Sequence, residues 1–302
     1  MRRILWGALL VVAVLTAVQA GPARAGGLTK IAENVFAYVG EPDAGPKRSF
    51  AANAGLVIGD DCVLVVDTLL TAKEGRRLFA DIRKITAKPI RFVVNTHFHR
   101  DHTLGNSVFA GLGAVIVSHS LERESMLAEA PKTLAGLRQL GLGEADLRDT
   151  AVTVPHVTFS ERMTIHLGKQ VVELIHLGPS HTAGSSVVYL PRQKVLFAGD
   201  ILFTNFHPFL GSADLLGWKR ALEAVEAMDV VAIVPGHGPL STKKDVDELR
   251  EYLAIFDAKG KEVAAREKDP LKAAAELEQA LPRRAQGRHL IERNLRLKYL
   301  AQ

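Results

Sequence analysis

The chain has 302 residues, 47% of them hydrophobic and 24% charged, with a formal net charge of +5. That composition supports a sizeable buried core and excludes a disordered chain, while the loss of Arg2, Arg3 and Arg24 with an expected leader leaves a charge of +2, weak evidence for any polyanionic partner. The lone cysteine, Cys62, excludes an intramolecular disulfide and sits in a strand-like run, where a small buried apolar residue is the favoured reading.

At the start, Arg2-Arg3 precede the apolar run Ile4 to Val18, and Ala23-Arg24-Ala25 places small residues around a cleavable bond. Residues 1–25 therefore read as a secretory signal peptide. The apolar run is shorter than the ~20 residues of a spanning helix, so the expectation is a periplasmic or secreted chain with no stable membrane insertion after cleavage.

Apolar runs that predict strands follow at Val35–Val39, Ala54–Ile58, Val63–Val66, Phe92–Val94, Ala114–Val117, Val157–Phe159, Met163–His166, Val171–His176, Ser186–Leu190, Val195–Ala198 and Val231–Val234. Between them, helical patterns cover Thr71–Ile85, Ser120–Leu140 and Trp218–Met228, and a long helical stretch begins near Thr242 and breaks at Pro270. Short strands interleaved with helices predict an α/β layered domain over residues 26–241. Residues 242–302, rich in Ala, Leu, Glu, Lys and Arg, predict a C-terminal helical extension packed on it. Six basic side chains and one acidic one between Arg283 and Lys298 read as a solvated helical face.

The segment THFHRDHTLGN places His97, His99, Asp101 and His102 within six residues, directly after the buried run Phe92–Val94. A loop leaving a buried strand holds side chains in one small volume, as a preorganised metal site requires. If the loop stays extended, His97, His99 and Asp101 share one side and His102 faces another way, an arrangement suited to two adjacent metal ions. Further ligands stand at other strand ends beside glycine: His181 in GPSHTAGS, Asp200 in VLFAGD and His237 in VPGHGPLS.

Taken together, HFHRDH, GPSHTAG, FAGD and PGHG resemble the metallo-β-lactamase superfamily of metallohydrolases, over roughly Leu28 to Leu240. The resemblance implies a four-layer αββα sandwich with the metals at one edge. It implies that His97, His99 and His181 hold the first metal, that Asp101, His102 and His237 hold the second, that Asp200 bridges them, and that Asp67 supports the site. An imidazole and carboxylate set without sulfur suits two Zn2+, and suits iron or manganese as well; export favours zinc. By the same resemblance a metal-bound hydroxide attacks an ester, thioester, lactone or amide-type bond of a small-molecule substrate, with Asp101 as the catalytic residue that orients it.

The set with a bridging aspartate is similar to that of the glyoxalase II branch. True β-lactamases of the superfamily carry a thiolate in place of Asp200 or lack the carboxylate bridge. A β-lactamase proper, which export would suit, stays an alternative; a mononuclear-iron persulfide dioxygenase, which looks similar around THFHRDH, is a second, and a non-catalytic metal-binding protein on the same scaffold is a third. Nuclease branches fit neither the near-neutral mature charge nor the leader. After Asp200, the loop Phe203–Phe209 is a candidate substrate wall, with Asn205 and His207 as its polar contacts and Phe206 or Phe209 as apolar ones; Glu41–Ser49 is a candidate rim. His119, His156, His166, His176 and His289 have no ligand partner nearby in sequence and are expected in structural or surface roles.

Overall fold

A computed structural model of the chain describes residues 25–300. The expected leader falls almost wholly outside the described residues.

Strands β1 (Gly27–Ala32), β2 (Val35–Val39), β3 (Ala54–Ile58), β4 (Val63–Val66), β5 (Ile90–Val94), β6 (Val115–His119) and β7 (Val157–Phe159) hydrogen-bond in that order to form a seven-stranded sheet. A five-stranded sheet follows, with β8 (Arg162–Leu167), β9 (Gln170–His176), β10 (Ser186–Leu190), β11 (Val195–Phe203) and β12 (Ala232–His237) paired in reverse order from β12 to β8. Strands β1–β4 and β8–β11 pair antiparallel, with a longer excursion over residues 40–53 between β2 and β3, whereas the parallel pairs β4–β5, β5–β6, β6–β7 and β11–β12 require crossovers.

Alternation along each strand separates the layers. In β3, Val57 enters the core shared by the two sheets with Leu64, Val94, Leu174, Val188 and Phe197, while its neighbours Leu56 and Ile58 point to the other face. There they meet Leu78 and Ile82 of α1 (Ala72–Ile85) and Phe109 of α3 (Asn106–Gly111). On the outer face of the second sheet, Leu196 and Ala198 pack with Trp218 and Leu222 of α6 (Leu215–Ala227) and with Tyr252 and Phe256 of α7 (Lys243–Arg266). The result is the αββα sandwich that the sequence resemblance implies.

Helix α7 opens on a capping box between Thr242 and Asp245, and α8 (Pro270–Ala280) begins with Asp269 as cap and Pro270 in its first turn. Together with α9 (His289–Leu295), these helices share one apolar cluster with β11 and α6. The loop after β11 is fastened to them: Asn294 donates to the Pro208 carbonyl at 2.7 Å and accepts from Leu210 N–H at 2.8 Å, and Arg284 donates to Phe203 and Phe206 carbonyls at 2.9 and 3.2 Å. No described helix is long and apolar enough to cross a membrane.

The strands differ from the sequence reading chiefly in two places. Strand β1 was not expected, because GLTKIA is half-exposed and shows little alternation. Strands β11 and β12 run further than their apolar cores, through Asp200 to Phe203 and through His237, because the ladder continues past the glycines at 199 and 236.

Candidate metal centre

Strands β4, β5, β11 and β12 all deliver their carboxyl ends to one edge of the sandwich, which is how residues far apart in sequence meet there. Two groups form: His97, His99, His181 and Asp200, and beside them Asp101, His102 and His237, each group's ligand atoms lying within 4.8 Å of one another.

Asp200 stands between the groups. Its Oδ2 lies 3.2 Å from His181 Nε2 and 3.6 Å from His97 Nε2, while its Oδ1 lies 3.2 Å from His102 Nε2 and 3.6 Å from His237 Nε2. One carboxylate thus offers one oxygen to each triad. In the first group His99 Nδ1 faces His181 Nε2 at 2.9 Å, and in the second Asp101 Oδ2 is 3.3 Å from His237 Nε2. The close approach of Asp200 depends on Gly236, where a Cβ would overlap the carboxylate oxygen Oδ1, and on Gly199, which takes φ +51° against Thr96.

The extended-loop expectation for residues 97–102 is corrected by the structure. After His99 the chain turns into a helical turn, α2 (Arg100–Thr103), so Asp101 leaves the side occupied by His97 and His99 and joins His102 and His237. The period of two gives way to a helical advance at Arg100. This grouping matches the division of ligands implied by the family resemblance.

Four of the five imidazoles have their remote nitrogen engaged. His102 Nδ1 lies 3.0 Å from Asp67 Oδ2, and since a carboxylate accepts, Nδ1 donates there and Nε2 is the nitrogen turned to the centre. His237 Nδ1 donates likewise to the Phe50 carbonyl at 3.0 Å. Thr96 Oγ1 donates to Asp67 Oδ2 at 2.8 Å, so it accepts from His97 Nδ1 at 3.1 Å. His99 Nε2 is 3.3 Å from Ser212 Oγ. Asp67 also accepts Thr96 N–H at 2.9 Å, which locks the start of the ligand loop to the end of β4.

Phe50 holds its carbonyl there at a conformational cost. Ser49, Phe50 and Ala51 have φ of 55°, 52° and 62°, three consecutive non-glycine residues in the left-handed region.

The residues fit a pair of cations. His97 Nε2 and Asp200 Oδ1 are buried without a hydrogen-bond partner, and paired imidazole nitrogens confront each other across both groups, an arrangement that leaves lone pairs unsatisfied unless cations accept them. Burial holds His97 well below the ordinary imidazole range and His99 down to about 3. Burial would lower His102 too, but Asp200, Asp101 and Asp67 around it outweigh that and carry it well above its ordinary value. Against burial, His237, His102, His97 and His181 keep Asp200 far down in the ionised state.

One residue of the site escaped sequence reasoning. Glu122, on α4 (Ser120–Gln139), is 1% exposed and accepts three hydrogen bonds: Phe98 N–H at 2.7 Å, Gly184 N–H at 2.6 Å and Thr182 Oγ1 at 2.7 Å. It joins the loop of His97 and His99 to that of His181. Burial pushes its carboxyl up to about 7 despite those bonds.

Asn205 and His207, expected as substrate contacts, lie elsewhere. His207 is 3% exposed with Nδ1 2.9 Å from Tyr252 Oη, and Asn205 Oδ1 accepts Ala285 N–H at 2.9 Å, so both tie the loop to the C-terminal helices. Neither lines the cavity of about 200 Å³ that opens beside His99; Phe209 at the end of that loop and Ser212 just after it do. Phe206 packs on the His237 ring at 5.1 Å. Of the histidines expected in structural roles, His119 stacks on His176 at 4.1 Å and caps α4 by accepting Leu121 N–H.

The chain thus has a two-layer β core flanked by helices, with a cluster of imidazoles and carboxylates at one edge. Residues 48–237 match the family described as the Metallo-beta-lactamase superfamily, and the chain belongs to it. Members of that superfamily are mostly metal-dependent hydrolases acting on small molecules. The chain is similar to the linear primary-alkylsulfatase of Pseudomonas sp. (strain ATCC 19151), at 25% identity over 62% of this chain and 42% of that protein, so it spans less than half of that relative's length. It is 25% identical to the metallo-beta-lactamase type 2 of Bacteroides fragilis over 75% of this chain and 84% of that protein. Among solved structures, the metallo-beta-lactamase from Pontibacter korlensis superposes with a TM-score of 0.59 at 24% identity, covering 75% of this chain and 98% of that one, a likeness of fold.

Proposed function

We propose that the chain is an exported, dinuclear zinc hydrolase that cleaves an ester, thioester, lactone or amide-type bond in a small molecule. The observation that carries this is the placement of Asp200, whose two oxygens face two separate imidazole groups. His97, His99 and His181 would hold one cation, Asp101, His102 and His237 the other, and Asp200 both. Cations bound there would lower the pKa of water from about 15.7 toward about 7 and draw electron density from the bond under attack.

The chain's own groups supply the rest. Asp101 keeps 17% of its side chain exposed, the most of the second group, and its carboxylate is placed to accept a hydrogen bond from an attacking water and hold it in line. His102 and His237, fixed through Asp67 and Phe50, keep their Nε2 atoms directed inward. A reading with a single iron would leave Asp101, His102 and His237 without a task, which is why the dinuclear reading is preferred over a dioxygenase. The alkylsulfatase and β-lactamase relatives make sulfate esters and lactams the further bonds to assay. Arg2-Arg3, the apolar run Ile4 to Val18 and Ala23-Arg24-Ala25 support export.

The test is elemental analysis of the purified chain followed by a panel of lactones, thioesters, esters, lactams and sulfate esters. Two zinc ions per chain and turnover of one bond class are expected. One iron per chain with oxygen consumption, or two zinc ions with no turnover of any class, would overturn the proposal. Export is read by fractionating cells that express the full chain, the expected product lacking residues 1–25.

A further inference from the structure

The basic stretch near the C-terminus reads in sequence as a solvated face, and most of it is accounted for locally. Arg288 pairs with Glu278, Arg296 with Glu292, Arg284 binds backbone carbonyls and Lys298 donates to the Ala213 carbonyl. Arg283 and Arg293 have no carboxylate or carbonyl partner among the described residues, and of the two only Arg293 has an aromatic contact, its guanidinium lying over the Phe209 ring at 4.9 Å. That ring and Arg293 itself line the cavity of about 200 Å³ whose inner wall is His99.

The rest of the lining is consistent in character. Phe98, Leu104 and Met126 make an apolar wall, and Arg100 adds a second cation, partly countered by Glu129 at 3.9 Å. Two guanidinium groups against one carboxylate leave the cavity with a net positive charge. Its volume is below the roughly 300–1,000 Å³ of drug-sized sites, so it suits a short chain. Phe209, stacked under Arg293, keeps the guanidinium's edge free for the fork-shaped pairing that a carboxylate accepts.

We infer that this cavity is an acid-end subsite, in which Arg293 from the C-terminal helices receives the terminal carboxylate of a short apolar acyl chain whose bond to be cleaved lies beyond His99. The inference rests on the hydrolase reading for its use and on the cavity alone for its binding. Arg293 lies outside the stretch matched to the superfamily, so the subsite belongs to this chain's extension rather than to the shared catalytic scaffold.

The test has two arms on the full, zinc-loaded chain, Arg293→Gln and Arg293→Lys. In the first, calorimetry compares hexanoate with hexanol; the preference for hexanoate should fall about five- to tenfold in Arg293→Gln and recover in part in Arg293→Lys. In the second, the ratio of kcat/KM for the p-nitrophenyl monoester of glutaric acid over p-nitrophenyl butyrate should fall by a similar factor, through KM. An unchanged hexanoate preference in Arg293→Gln, or no such preference in the parent chain, overturns the subsite. Absence of turnover on both esters with an Arg293-dependent hexanoate preference supports the subsite and counts against the hydrolase reading alone.

Discussion

Glu122 accepts the backbone N–H of Phe98 at 2.7 Å, and Phe98 stands between two imidazoles that would share one cation. Its other oxygen accepts from Thr182 and Gly184, both just after His181 in its turn. A buried carboxylate accepting from two loops fixes their separation, since an amide in its place would turn a donor toward a donor. Glu122→Gln should weaken zinc at the His97, His99 and His181 group by about 10- to 100-fold and spare the other group. Competition with a chromophoric chelator measures this, and two equally retained ions would refute it.

Acid should empty the two groups in order. A ligand must lose its proton before it binds a metal, so a raised pKa lets protons compete from higher pH, and a lowered one delays that competition. Burial holds His97 and His99 low, whereas Asp200, Asp101 and Asp67 outweigh burial at His102 and hold it high. Falling pH should therefore remove the ion held by Asp101, His102 and His237 first. Metal analysis after dialysis at about pH 7.5 and about pH 5.5 should give two ions and then one, the retained one surviving below the ~6.5 of free imidazole. Simultaneous loss of both would contradict the assignment.

Gly236→Ala is expected to be disproportionately costly for a single methyl. The added carbon would overlap Asp200 Oδ1 and the Gly199 carbonyl carbon. Displacement of β11 against β12 should lower stability by about 1–3 kcal/mol and push the carboxylate off its shared position. Urea unfolding of the metal-loaded variant, together with its zinc content, decides the matter; full stability with two ions would mean the strands separate more easily than their register suggests.

Tyr252→Phe separates structure from chemistry. Without the hydroxyl, buried His207 Nδ1 loses its partner, a loss of about 1–2 kcal/mol. Burial, with Arg284 adding to it, also lowers His207 to about 4. A histidine depressed on folding stabilises the fold above its unfolded value near 6.5, and that contribution is lost as pH falls toward about 4. Chemical unfolding at several pH values should show the parent weakening across that window. A raised KM in Tyr252→Phe at neutral pH would instead return His207 to the substrate wall.

The candidate ligands were legible because each sits in a short segment where an apolar strand stops beside glycine, so local pattern implied a shared edge. The four-layer fold followed once those segments were seen to resemble a family. What escaped depends on distance. Glu122 is 24 residues from Phe98 and 62 from Gly184, and nothing around ERES marks it apart from any helix-surface acid. Asn205 and His207 looked like wall residues because their loop leaves the centre, yet side-chain direction there is set by Tyr252 and Ala285 from the other end of the chain. Asp101 was misplaced by the period of an extended loop that in fact coils at Arg100.

The left-handed run Ser49–Phe50–Ala51 has a consequence for engineering. Each L-residue in that conformation costs roughly 1–2 kcal/mol, and glycine at these positions is the usual remedy of a stabilisation campaign. Here that remedy would free the one carbonyl that fixes the tautomer of His237. Selection for heat resistance alone would drift toward a sturdier chain whose His237 is aimed less firmly.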